Sequence, residues 1–143
     1  MSAQASALSR ALHETLASDA DLSAIIRGRI FDRVPDRAST PYLTHGTLVS
    51  RPLDAEGVEE HAVTLDAWSR GHGRREVQDI LAALDAALRD TTPARASALA
   101  SRLSSGGSVR LVSIARLAHE IVSDDDTDLE HAIARYRVVT EAA

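Results

Sequence analysis

The stretches Val109-Arg-Leu-Val-Ser-Ile-Ala-Arg-Leu-Ala-His-Glu-Ile-Val122 and His131-Ala-Ile-Ala-Arg-Tyr-Arg-Val-Val-Thr140, divided by Asp124-Asp-Asp-Thr-Asp128, decide the fold. Both are rich in β-favouring residues, and the acidic cluster between them suits neither a strand nor a core. The pattern predicts strands over 109–122 and 131–140, joined as a long antiparallel hairpin.

Outward from this hairpin, Val77, Ile80, Leu81, Leu84 and Leu88 mark one face of an amphipathic helix over 74–89, which stops near Asp90, before Pro93. Gly71-His-Gly73 turns the chain into it. Residues 94–103 are alanine-rich and fit a helix or a short strand, and Ser104-Ser-Gly-Gly107 reads as a loop. Upstream, His61–Ser69 alternates, with Val63, Leu65 and Ala67 on one face, and Tyr42–Ser50 is a second β-rich run closed by Pro52. These predict two further antiparallel strands, 42–50 and 61–69. Their connection, Arg51 to Glu60, is longer than a tight hairpin needs and carries Asp54, Glu56, Glu59 and Glu60, so it is expected to project into solvent or against a partner.

Residues 33–41 hold two prolines and form a loop. Before it, Leu8, Leu12 and Leu16 recur every fourth position in a helix over 3–17. Ser18 or Asp19 caps a second helix over 20–27, with Gly28 placed for a left-handed C-terminal residue. The order helix, helix, strand, strand, helix, strand, strand predicts an α+β fold. It is a single domain over 1–143, with an antiparallel sheet of about four strands and helices packed on one face.

Composition agrees with one core. At 143 residues and 15.3 kDa the chain has the length of an ordinary domain, and it needs no disulfide or structural metal. It has no cysteine, which excludes disulfide scaffolds, thiolate metal sites and cysteine nucleophiles. Only Phe31, Tyr42, Trp68 and Tyr136 are aromatic, so the core is aliphatic. The net charge of −5 argues against general nucleic-acid binding, and all sixteen basic residues are arginine. That usage fits either a base-composition bias in the source genome or bidentate pairing at interfaces. No apolar run is long enough to span a bilayer, and residues 1–10 lack a signal-peptide pattern, so a soluble protein that is not secreted by a cleaved signal is expected.

The catalytic and metal motifs fail one by one. Asp124, Asp126 and Asp128 match the first acidic positions of a calcium loop, but Leu129 stands where glycine is required and Arg135 where the closing carboxylate should be. Neither His13-Glu14 nor His119-Glu120 is followed by a second histidine four residues on, and the strand histidines His45, His61, His119 and His131 could meet only through the fold. Gly71-His-Gly73-Arg-Arg-Glu76 has glutamate where a dinucleotide turn needs its third glycine, which leaves Arg74 and Arg75 as a site for an anion or a partner's carboxylate. Ser104-Ser-Gly-Gly-Ser is no phosphate loop, and no nucleophile elbow is present.

Several pieces in order carry a resemblance: Ala20-Asp-Leu-Ser-Ala-Ile-Ile-Arg-Gly-Arg-Ile-Phe-Asp32, Pro41-Tyr-Leu43, Val63-Thr-Leu-Asp-Ala-Trp-Ser69, a helix from near Arg74, then Asp124-Asp-Asp126, His131 and Tyr136-Arg-Val138. Together they resemble the tail-terminator (tail completion) proteins of long-tailed phages, prophages and gene transfer agents, over about Leu8 to Glu141. The resemblance implies a structural virion protein without catalytic residues, cofactor or metal. It implies a homo-oligomeric ring, a hexamer, that caps the tail tube, stops its polymerisation and joins the tail to the head connector or stopper. Its place is the head-proximal end of the virion tail, after assembly in the bacterial cytoplasm. Its partners are further copies of itself, the tail-tube protein and the head–tail connector; it meets no membrane and binds no specific nucleic acid, although DNA can pass through the ring.

A ring closes through a heterologous contact whose register mixed charges can set. The expected interface residues are Arg27 and Arg29, the acidic connection with Asp54, Glu56, Glu59 and Glu60, Arg74 and Arg75, and the turn with Asp124, Asp125, Asp126 and Asp128. The alternatives are a head-side connector or stopper, a minor tail protein, or a small metal- or nucleotide-dependent enzyme that gathers histidines on its sheet.

Overall fold

A computed structural model describes residues 2–88, 97–124 and 126–143. Helix α1 (Ala3–Ser18) starts at Ser2, whose Oγ accepts the Ala5 N–H at 3.0 Å, and buries Ala5, Leu8, Ala11, Leu12 and Leu16. Asp19 ends α1 and caps α2 (Ala20–Ile26) by accepting the Leu22 N–H at 2.9 Å. The left-handed residue closing α2 is Arg27, at φ 54°, with Gly28 also at positive φ behind it. A two-residue strand, β1 (Ile30–Phe31), then lies parallel to β2 (Tyr42–Pro52). It joins the four strands expected from the pattern as a fifth.

β2 and β3 (Val58–Arg70) pair antiparallel almost to their tips, with Pro52 opposite Glu59. The connection expected over 51–60 is therefore a five-residue turn, 53–57, and Arg51, Glu59 and Glu60 belong to strands. Pairing overrides the weak β propensity of these residues: Arg51 and Glu60 lie opposite each other and form an ion pair, and β5 pairs Val58, Glu59 and Glu60 from the other side. Helix α3 (Gly73–Ala87) follows the glycine turn and buries Val77, Ile80, Leu81, Ala83 and Leu84. The expected helix stop near Asp90, and residues 94–96, fall outside the described residues. α4 (Ala98–Ser105) resolves the alanine-rich stretch as helix: Ser97 caps it through the Ala100 N–H, and Leu99 and Leu103 are buried. Ser104 and Ser105 close this helix, so the expected loop shortens to Gly106-Gly107-Ser108.

β4 (Val109–Asp124) and β5 (Leu129–Ala142) form the long hairpin, and the sheet order is β1-β2-β3-β5-β4. All pairs except β1–β2 are antiparallel. Along β3 the residues His61, Val63, Leu65, Ala67 and Ser69 are buried beneath the helices, as are Ala132, Ala134, Tyr136, Val138 and Thr140 along β5. Both sets alternate with exposed or half-buried residues over most of their length, as a sheet covered on one side requires. At the β2 bulge between His45 and Leu48, a Cβ on Gly46 would sit 2.6 Å from Asp66 Oδ2 and 3.0 Å from the Thr64 carbonyl oxygen, so only glycine fits there without a shift.

Candidate interaction surfaces

The register sorts the expected interface residues into two groups at opposite ends of the sheet. β3 spans thirteen residues, so its ends lie about 40 Å apart. At one end, Asp54 and Glu56 are exposed on the 53–57 turn. Gly57, at φ 77°, anchors that turn by accepting hydrogen bonds from the Ala142 N–H and Gln4 Nε2, both at 2.9 Å. Glu59 and Glu60 lie near the same end, but each already has a partner within the subunit. Glu59 Oε2 accepts the Ser2 hydroxyl at 3.0 Å, holding the α1 N-terminus. Glu60 bridges Arg51 Nη2 at 2.8 Å and Arg137 Nε at 2.6 Å, and these arginines hold its carboxyl below the usual range.

At the other end, Arg74 and Arg75 are exposed on the first turn of α3, and Arg27 is exposed at the close of α2. Arg29 donates from Nε to the Pro41 carbonyl oxygen at 2.9 Å and so fastens the 32–41 loop. The acidic turn lies nearby. Asp124 Oδ1 accepts the Asp126 N–H, Arg70 Nη1 binds the Thr127 carbonyl oxygen at 2.7 Å, and the Gly71 N–H donates to the Asp128 carbonyl oxygen. Asp126 and Asp128 are exposed, and Asp125 lies outside the described residues. This geometry uses the aspartates to shape a turn. Among the described residues, no group of three or more His, Asp or Glu is placed to hold a metal ion.

The histidines do not converge. His61 is fully buried between Ser50 and Thr140, whose hydroxyl donates to Gln4 Oε1 at 2.6 Å. Thr140 must then accept from His61 Nε2 (2.8 Å), and Nδ1 accepts from the Ser50 hydroxyl (2.6 Å). This relay suits a neutral imidazole, and burial pushes the His61 pKa down. Elsewhere, His13 Nδ1 meets His45 Nε2 at 3.1 Å in a cleft of about 330 Å³ between α1 and the β2 bulge. Burial lowers the His45 pKa, partly opposed by Asp32 and reinforced by His13. His119, Arg116 and the Tyr136 hydroxyl all bind Asp85 on α3. Burial acts to raise the Asp85 carboxyl, but the bonds from Tyr136 and Arg116 and the His119 contacts outweigh it and hold the pKa down. The Tyr136 hydroxyl is pushed upward by burial and by Asp85.

Sequence reading missed the row on the uncovered face. Phe31, Tyr42, Trp68 and His131 succeed one another across β1, β2, β3 and β5, ending in a Trp68–His131 stack with ring centres 3.8 Å apart. Trp68 Nε1 donates to Thr44 Oγ1 at 3.1 Å, and His131 Nε2 lies 2.7 Å from Asp66 Oδ1. One signal was available: Trp68 is out of phase with Val63, Leu65 and Ala67, which turns it to the uncovered side. Its neighbours come from the strand register, which no local pattern contains. On the same face Arg51, Arg110, Arg135 and Arg137 are all ion-paired within the subunit.

The fold is shared with a chain in the virion of a native gene transfer agent particle, at a TM-score of 0.77 and 20% identity over 99% of each chain. It is shared also with the gp17 protein of bacteriophage SPP1, at a TM-score of 0.55 and 22% identity over 94% of this chain and 88% of that one. No curated protein sequence matches significantly. Residues 10–141 match the family described as Tail completion protein gp17. The chain therefore belongs to the tail completion protein family, and is a structural tail protein and not an enzyme.

Proposed function

We propose that this subunit is the tail terminator: it forms a ring, a hexamer, at the head-proximal end of the tail tube, stops tube polymerisation and joins the tail to the head connector. Assembly takes place in the bacterial cytoplasm. The observation that carries this reading is the family match across residues 10–141. The two ends of the sheet support it physically. A subunit seated between a tube and a connector needs two unlike surfaces, and here a turn that carries only carboxylates as charges lies about 40 Å from an end where arginines and aspartates stand together.

Asp54, Glu56, Arg27, Arg74 and Arg75 are the strongest contact residues, because they are exposed and have no side-chain hydrogen bond or ion pair among the described residues. Glu59, Glu60, Arg29 and Asp124 contribute by holding these ends in shape, with Asp126 and Asp128 exposed on the turn. Negative-stain microscopy of the purified protein, with and without the neighbouring tail-tube protein, tests the role. Rings at tube ends, or tubes of fixed length, are expected; tubes that grow without limit and carry no cap would reject it. Replacing Asp54 and Glu56 by arginine should weaken binding to the tube or connector while circular dichroism stays unchanged.

A further inference from the structure

The sheet has two open edges, and they face in opposite directions. β1 pairs only with Leu43 and Thr44, so β2 has no strand on its outer side from His45 to Pro52 among the described residues. At the far side β4 pairs, among the described residues, with β5 alone. Of the exposed large hydrophobic residues, all but Val34 lie on these two strands: Val49 on β2 (58% exposed), and Val112 (50%), Leu117 (58%) and Val122 (47%) on β4. Two bulges, between Leu111 and Ser113 and between Arg116 and Ala118, are what release Val112 and Leu117 from the pairing with β5.

Proteins that must stay apart protect long edges with unpaired charge, proline or bulges; on these edges Pro52 stands only at the tip of β2, and the β4 bulges leave Val112 and Leu117 exposed. Here the charges are cancelled inside the subunit, in the pairs Arg51–Glu60, Arg110–Glu141, Arg116–Asp85 and Glu120–Arg135. The register also sets the two edges at one height. Val49 pairs with Ala62, Ala62 with Arg137 and Arg137 with Ala115, which lies between Val112 and Leu117. Three successive antiparallel pairings make β2 and β4 run in opposite directions. A copy rotated about an axis along the strands therefore offers its β2 to the first copy's β4 in antiparallel sense, and the same contact repeats until the ring closes.

We infer that neighbouring copies associate edge to edge, with Val49 of one copy facing Ala115 of the next, between Val112 and Leu117, so that the antiparallel sheet continues between subunits. This rests on the ring reading and supplies its lateral contact. The chain has no cysteine, which makes cross-linking clean. The doubly substituted protein, Val49→Cys with Ala115→Cys, the pair the register sets opposite each other, is assembled on the tail-tube protein and oxidised. A ladder of covalent multimers up to the full ring is expected on a non-reducing denaturing gel, while either substitution alone gives nothing beyond a dimer. Rings visible by microscopy without a ladder would overturn the edge contact and leave the ring standing. Absence of rings from wild type and variant alike would overturn both. Cross-links to the tube subunit instead would assign the edge to that partner and overturn the self-contact. As a second variant, Val49→Asp with Leu117→Asp should lose rings at least tenfold with unchanged circular dichroism; wild-type ring yield would refute the inference.

Discussion

Along β3, Val63, Leu65 and Ala67 point into the helices, while Thr64, Asp66 and Trp68 point away from them. The two sets alternate on one backbone and have different tasks. On the covered side, packing dominates, with mostly aliphatic side chains from five strands and four helices meeting in one buried cluster, and among the described residues the buried polar side chains have partners. On the other side, charges are matched pair by pair and apolar exposure is pushed to the edges. The comparison teaches that stability and association are held by different residues of the same strands, so each can be changed with the other left intact.

The largest expected effect tests the covered side. Leu65 is 1% exposed at the centre of β3, and Leu65→Ala should cost about 2–5 kcal/mol of folding free energy in a urea titration. Leu117→Ala removes the same atoms from a residue 58% exposed and should cost less than about 0.5 kcal/mol. Similar losses at the two positions would erase the distinction between packing and surface.

His61 sharpens the comparison, because it is a polar residue on the packed side. His61→Ala takes from Ser50 its acceptor and from Thr140 its donor, leaving Thr140 only its bond to Gln4, and should cost about 1–3 kcal/mol. The histidine also sets a pH dependence. Its folded pKa, like that of His45, lies below the unfolded value near 6.5, so between the two the unfolded chain takes up the proton first. Stability is therefore complete above about pH 6.5 and falls as the pH drops through that value toward the folded pKa. Urea midpoints at pH 7.5 and 5.5 should show the loss, and His45→Gln should reduce it; a midpoint that rises on acidification would reverse the sign.

What the sequence made legible follows from which forces are local. Periodicity placed α1, α3 and the four long strands because burial on one face repeats with a fixed period, and Asp19 sits where cap chemistry operates within a few residues. β1 was missed because two residues carry no period; Ile30 and Phe31 become a strand only because Leu43 and Thr44 lie beside them. The assignment of Glu59 and Glu60 to an open connection failed to see Ser2, Arg51 and Arg137, which lie near in space and, for Ser2 and Arg137, far away in sequence. The same limit hid the His61 relay, the Asp85 cluster and the alignment of Val49 with Ala115. Individual residues declared their faces, whereas their partners depended on the register.

On the uncovered face, the Trp68 row is expected to matter less than the core and more than the ion pairs. His131→Ala removes one stacked ring and the Asp66 bond, and should cost about 1 kcal/mol. Trp68 is the chain's one tryptophan, so its fluorescence should change with the substitution and report the same site during unfolding.

The smallest effect belongs to the Arg135–Glu120 pair, 3.1 Å apart with side chains 44% and 51% exposed. Water screens such a pair, and ordering two long side chains offsets most of its attraction, so Glu120→Ala should move stability by less than about 0.5 kcal/mol. Its consequence lies in association instead. Removing Glu120 leaves Arg135 uncompensated beside the β4 edge, where a neighbouring copy would have to bury it or carry an opposing charge. If that edge is the lateral contact, ring yield should fall more steeply with Glu120→Ala than the urea midpoint does. If both stay unchanged, the cancelled charges of the uncovered face serve solubility alone, and the edge contact must draw its specificity from Val49, Val112 and Leu117.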